Sequence, residues 1–159
     1  MVSKGDTRTR PDWTEYFIGI MRAVAMRGTC LRAKCGCVIT RDNVLLSTGY
    51  NGAPKGAAQC DEVGCLMKEV KHADGHVSEH CKRTIHAEAN AVLQAAKNGI
   101  SINGGTLYVG TTPCRDCAML IVNSGIERVI SERDYHESAE SKDIFKTAGV
   151  DLKILINEV

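Results

Sequence analysis

This 159-residue chain has little charge bias, few aromatic rings and no long apolar run, and each shortage closes off a class of function. Lys plus Arg total 20 against 19 Asp plus Glu, for a formal net charge of +1, so the sequence provides no broad basic surface to hold nucleic acid or an anionic membrane. Aromatic residues make up 4% of the chain, too few for the stacking platforms that single-stranded nucleic acid requires. No stretch approaches the roughly 18 apolar residues needed to cross a bilayer. The opening residues MVSKGDTRTRPDW lack the apolar centre of a secretion signal, so a cytoplasmic protein is expected. Internal repeats and low-complexity tracts are also absent. At this length a single domain over residues 1–159 is expected, with a core of useful size and a polar, flexible lead over residues 1–11.

Cysteine, by contrast, is plentiful: there are eight. Disulfides do not persist in a reducing compartment, so metal binding or core packing must account for them. Cys35 and Cys37 alternate along an apolar run and read as buried, apolar side chains.

The hydrophobic pattern sets out the elements. Asp12 is a candidate N-cap for a helix with Trp13, Phe17, Ile20, Met21 and Val24 at helical spacing, stopping near Gly28. KCGCVIT and NVLLSTGYNG, separated by RDN, predict a β-hairpin followed by the Gly-rich loop GYNGAPKGAAQ. Residues 60–83 show no sustained period and predict an irregular insertion in need of a staple. Helices over 84–97, 114–124 and 137–148 then alternate with strands TLYVG, ERVIS and DLKILI. The first of these helices has an apolar stripe of Ile85, Ala89, Val92, Leu93 and Ala96. Alternation of this kind predicts parallel strands with crossover helices, joined to the hairpin in a mixed sheet covered on both faces.

Three residues carry the chemistry. His86 opens one helix, and Cys114 and Cys117 in PCRDC open another. One imidazole and two thiolates suit zinc, with a fourth position open to water as in catalytic sites. A helix N-terminus lowers a thiol pKa and favours the ligating form. Glu88, two residues after His86, need not be a ligand; beside a zinc-activated water it can accept and deliver a proton. H-x-E followed by P-C-x-x-C is the signature of zinc nucleobase deaminases, and HAE with PCRDC matches it without a mismatch. A structural zinc knuckle or a redox pair is the plainer alternative for a CxxC motif alone.

With TCLR, GYNGAP, CDEVGCLM and HCKRTIHAEANA added to those motifs, the chain resembles the cytidine and deoxycytidylate deaminase superfamily from about Tyr16 to Val150, and most closely its dCMP deaminase branch with the competence-operon relatives. The resemblance implies a three-layer α/β/α fold with a mixed sheet of about five strands. It also implies hydrolysis of dCMP to dUMP and ammonia, supplying dUMP for dTTP synthesis: activated water attacks C4, and Glu88 carries its proton to N3 and then to the leaving amine. By the same resemblance Asn51, Arg32, Ala87, Arg115 and Tyr135 are candidate substrate contacts. Arg32 is the first choice for phosphate because a guanidinium can fork two oxygens. Arg115 and Lys55 come after it. Asn-Gly is equally a turn pair, a lone arginine is more often a solvated surface residue, and Tyr135 is equally a packing residue at a helix entry.

The resemblance further implies a second, structural zinc over the insertion, held by Cys30, Cys60 and His80 with Cys81 or Cys65 as the fourth ligand; free thiols are the alternative. A closed four-ligand site would supply the insertion's missing core. His72 and His76 make this insertion longer than usual. Relatives assemble as homo-oligomers, the hexamer being favoured here over dimer or tetramer, and some respond to dCTP and dTTP. Two other functions stay open: a deaminase of another cytosine nucleotide, nucleoside or RNA base, and a zinc-stabilised, competence-associated binding protein.

Overall fold

The computed structural model describes residues 9–156, so most of the lead expected to be flexible over 1–11 lies outside the described residues. The elements in chain order are α1 (Trp13–Ala25), β1 (Gly36–Arg41), β2 (Val44–Tyr50), α2 (Cys60–Val63), β3 (Met67–Lys71), β4 (Val77–Cys81), α3 (Ala87–Lys97), β5 (Thr106–Thr111), α4 (Arg115–Asn123), β6 (Arg128–Arg133), α5 (Ala139–Ala148) and β7 (Asp151–Ile156).

Local chemistry explains the first elements. The Asp12 carboxylate accepts the Glu15 N–H at 2.8 Å while Glu15 accepts the Asp12 N–H at 3.2 Å, a reciprocal capping box that starts α1 as expected. Asp42 (φ 52°) and Asn43 (φ 61°) both adopt the left-handed conformation that a tight two-residue hairpin demands, and they join β1 to β2.

The strands order as β2-β1-β5-β6-β7, with β1 antiparallel to both neighbours and β5, β6 and β7 parallel. Side-chain alternation divides the core between the two faces of this sheet. Cys37, Ile39, Leu107, Val109 and Val129 meet Ala87, Ala91, Ala95, Ala118, Ile121 and Phe145 from α3, α4 and α5. Val38, Tyr108 and Ile130 meet Phe17, Ile18 and Met21 of α1 on the other face. The result is the expected three-layer α/β/α arrangement around a mixed five-stranded sheet. Among the described residues no helix is long and apolar enough to cross a membrane.

The structure corrects two expectations. The buried side of α3 is Ala87, Glu88, Ala91 and Ala95, not the stripe through Leu93, which is 55% exposed. The helix also begins at Ala87; Ile85 instead exchanges backbone hydrogen bonds with Gly52. Small side chains face the sheet because helix and strand approach closely at Gly49 of β2. A Cβ there would lie 2.2 Å from the Ala87 carbonyl oxygen and 2.3 Å from the Ala91 nitrogen. Gly49→Ala must therefore push α3 outward, and overpacking of this kind costs about 1–3 kcal/mol. Thermal unfolding should show Tm falling by roughly 2–12 °C; an unchanged Tm would mean that the helix shifts freely.

The second correction concerns residues 60–83. They are ordered as the short helix α2 and a separate two-stranded antiparallel ribbon, β3–β4, with Met67 opposite Cys81 and Lys71 opposite Val77. The ribbon buries little on either face, which is why no apolar alternation marks it.

Candidate functional site

His86 and Cys114 occupy the N-cap positions of α3 and α4, and Cys117 lies in the first turn of α4. N-cap side chains commonly accept a hydrogen bond from their own helix. Neither His86 nor Cys114 does so. The side chains turn toward one another: both Sγ atoms lie 3.5 Å from His86 Nδ1. Zinc bonds of about 2.0–2.1 Å to nitrogen and 2.3 Å to sulfur at a tetrahedral angle would place the two donors about 3.6 Å apart, so the set fits that ion. All three ligand atoms lie within 4.8 Å of one another.

These groups also hold one another's protons. The hydrogen bond to Cys117, and after it the one to His86, push the Cys114 thiol down to about 4. Its bond to Cys114, followed by burial, drives Cys117 upward, and the Cys114 contact raises His86 to about 9. A divalent cation takes the place of such protons when it binds.

Glu88 sits two residues after His86, in the first turn of α3, and is 8% exposed. Burial raises its carboxyl pKa, with a backbone hydrogen bond and His86 acting in the other direction. A carboxyl placed this way can accept and release a proton beside the His86–Cys114–Cys117 group.

A cavity of about 280 Å³ opens at His86 and is lined also by Cys30, Arg32, Ala33, His80, Cys81 and Thr84. Arg32 donates from Nη1 to the Glu79 carbonyl at 2.9 Å, tying the cavity wall to β4. Buried Asn51 uses its amide on the protein itself: Oδ1 accepts the Cys35 N–H at 2.9 Å and Nδ2 donates to the Ala33 carbonyl at 2.8 Å. One N–H and one lone pair remain on that amide. Ala87 is fully buried against the sheet. Arg115 lies away from the cavity wall, pairing with Glu140 at 3.2 Å and Asp116 at 3.4 Å. Lys55 is exposed in the loop after β2. Half-buried Tyr135 donates to Glu137 Oε2 at 2.9 Å, and burial followed by that contact raises its phenol to about 12. Asp134, missed in the sequence, anchors this loop by accepting from Thr112, Ser138 and the Tyr135 N–H, with Lys142 holding its carboxyl down at about 2.

The cysteines of the insertion form a second group. Cys60, Cys65 and Cys81 have sulfur atoms within 4.8 Å of one another, and Cys60 and Cys81 are 3.7 Å apart. Burial pushes Cys60 up to about 12. Burial also acts to raise Cys81, but the backbone N–H groups of Arg83 and Leu66 outweigh it and hold that thiol at about 7. Of the expected set, Cys30, Cys60 and His80 with Cys81 or Cys65, the group gathered here holds Cys60 and both candidates for the fourth place, without Cys30 or His80. Neighbouring residues on a strand point to opposite sides, and while Cys81 faces Cys60, His80 Nε2 contacts Ser78 Oγ at 2.7 Å. Cys30 is buried at the cavity. Cys37 is fully buried as expected, whereas Cys35 is only half-buried at the edge of the core.

Residues 11–132 match the family model described as the cytidine and deoxycytidylate deaminase zinc-binding region. The chain is 38% identical over 141 residues to ComE operon protein 2 of Bacillus subtilis (strain 168), covering 89% of this chain and 70% of that protein. It is 42% identical over 128 residues to the deoxycytidylate deaminase of Mycobacterium phage D29, covering 79% and 98%. Its fold is similar to that of the dCMP deaminase from cyanophage S-TIM5 solved in complex with dCMP and dUMP, with a TM-score of 0.73 at 25% identity over 92% of this chain and 98% of that one.

Proposed function

Because the chain belongs to the cytidine and deoxycytidylate deaminase family, we propose that it is a single-domain zinc-dependent hydrolase converting dCMP to dUMP and ammonia, and so supplying dUMP for dTTP synthesis. The observation that carries this reading is a buried carboxylate, Glu88, on the same first helical turn as His86 and beside the paired thiols Cys114 and Cys117. Zinc held by those three side chains would supply a water acidified toward neutral pH. Glu88 would accept one proton as the water oxygen bonds to C4 and pass it to N3, then take the second proton from the new C4 hydroxyl and deliver it to the exocyclic amine, which leaves as ammonia as C4–O becomes a carbonyl. The two thiolates offset the charge of the dication.

Arg32 is the proposed phosphate contact, because its guanidinium borders the cavity with donors to spare beyond the Glu79 carbonyl. Arg115, already paired with two carboxylates, is the weaker choice. Asn51 would offer the free N–H and lone pair of its amide to sugar or base, Ala87 a backbone contact and Tyr135 a flanking ring.

Ammonia release from dCMP, CMP, deoxycytidine and dCTP tests the assignment. dCMP should be preferred, and Arg32→Ala should lower kcat/KM for dCMP by roughly 10- to 150-fold, the worth of a charge-assisted hydrogen bond, while leaving deoxycytidine unaffected. Turnover of deoxycytidine but not dCMP would refute the phosphate role. Release from none of the four would favour a binding protein, a reading the similarity to ComE operon protein 2 raises and the retained Glu88 opposes.

We also propose a second, structural zinc on Cys60, Cys65 and Cys81, three free thiols already gathered in a part of the chain with little core of its own. Cys30, lining the same cavity as Cys81, is the proposed fourth ligand. The proposal extends to a cytoplasmic homo-oligomer responsive to dCTP and dTTP. Exposed Leu93, Met119 and Leu120 on α3 and α4 supply apolar surface for assembly, and repeating the assay with each triphosphate tests the regulation.

A further inference from the structure

We propose that His72, His76 and Glu137 form a separate site for a borderline divalent transition-metal ion, clasping the β3–β4 ribbon to the loop between β6 and α5. Ligand atoms of these three side chains lie within 4.8 Å of one another, in a group that shares no residue with the two cysteine-containing clusters. The donors come from two distant stretches of chain, so binding would join segments instead of decorating one.

The turn that closes the ribbon builds half of the site. The His72 N–H donates to the His76 carbonyl at 2.9 Å and the Gly75 N–H to the His72 carbonyl at 3.0 Å. This turn brings the two imidazoles face to face, with centroids 3.9 Å apart and planes 5° from parallel. Asp74 Oδ1 lies 2.5 Å from His76 Nδ1. A carboxylate on one ring nitrogen fixes the tautomer and aims the other nitrogen outward, as it does for metal-bound histidines. The outward atom, His76 Nε2, points at Glu137 Oε1, 3.4 Å away.

Glu137 is held in place as well. Tyr135 donates to Oε2 at 2.9 Å, leaving Oε1 turned toward His76. Two imidazoles and a carboxylate, with no thiolate, suit Zn²⁺, Ni²⁺ or Cu²⁺ better than Mg²⁺ or Ca²⁺, which prefer all-oxygen shells. Two metal–ligand bonds span about 4 Å; because the parallel rings aim their in-plane lone pairs side by side, binding requires the exposed His76 ring to turn out of the stack toward the ion. His80 Nε2, 3.9 Å from Glu137 Oε2, borders the site.

The test is equilibrium dialysis of the full chain, purified with its resident zinc, against Ni²⁺ or Zn²⁺. Wild type should take up one further ion. The double variant His72→Gln/His76→Gln should lose it, and Glu137→Gln should bind it at least about tenfold more weakly. Thermal unfolding of each variant before metal addition checks that it is folded. At equal Ni²⁺ concentration, Tm should rise more in wild type than in Glu137→Gln. Equal uptake and affinity in wild type and the double variant would overturn the site. Unaltered affinity in Glu137→Gln would overturn the clasp, reducing the site to a surface histidine pair.

Discussion

Glu88→Gln should retain the full zinc content of the wild type while lowering turnover of dCMP by at least about 10²- to 10⁴-fold, the usual contribution of one acid–base group. Glutamine keeps the size and the hydrogen-bonding shape of the side chain but cannot accept and release the proton. Because His86, Cys114 and Cys117 are grouped so that they could hold the ion without Glu88, metal content and activity should separate in this variant. Glu88 is also 8% exposed on the side of α3 that packs on the sheet, so the neutral amide carries less desolvation cost than a carboxylate and the fold should survive. Metal analysis beside single-turnover ammonia release gives the decisive comparison. Undiminished turnover would rule out the proton carrier, and lost zinc would make Glu88 a ligand.

Replacing Cys60 or Cys81 by serine should produce the opposite pattern. Zinc content should drop from two ions per chain to one, and Tm should fall by about 10 °C or more, because structural zinc contributes several kcal/mol to folding. Activity at low temperature should persist, since the proposed catalytic ligands belong to a different group. The size of the effect follows from where these thiols lie. Cys60 starts α2 and Cys81 ends β4, and among the described residues this part of the chain adds no member to the hydrophobic clusters on either face of the main sheet. One zinc per wild-type chain would sink the second site outright.

The grouping of His86, Cys114 and Cys117 was legible in the sequence because its residues are tied to local signals: His86 stands with Glu88 at one helix start, and Cys114 and Cys117 at another. The sheet was legible because its strands are apolar and its crossover helices periodic. Two other features depend on tertiary context. Leu93 is the larger apolar residue and was expected inside, yet α3 closes on Gly49 at Ala87 and Ala91 and turns Ala87, Glu88, Ala91 and Ala95 inward. The ribbon β3–β4 mixes charged, polar and apolar positions and buries little, so its alternation leaves no hydrophobic trace. His80 was grouped with Cys60 through the family resemblance, whereas along β4 His80 contacts Ser78 while its neighbour Cys81 faces Cys60.

The position of β1 sets an order of events during synthesis. Its hairpin with β2, closed by Asp42 and Asn43, is local and can form as soon as both strands exist. Its other partner is β5, with Cys37 opposite Val109, so the ribbon and α3 must already have been made before the sheet can extend. Cys114 and Cys117 arrive only after β5. A nascent chain stalled before Cys114 therefore presents His86 with no thiol partner, and the catalytic centre closes late, after the sheet has gained its central pairing. Chains paused on either side of Pro113 should accordingly differ in whether they trap zinc at His86.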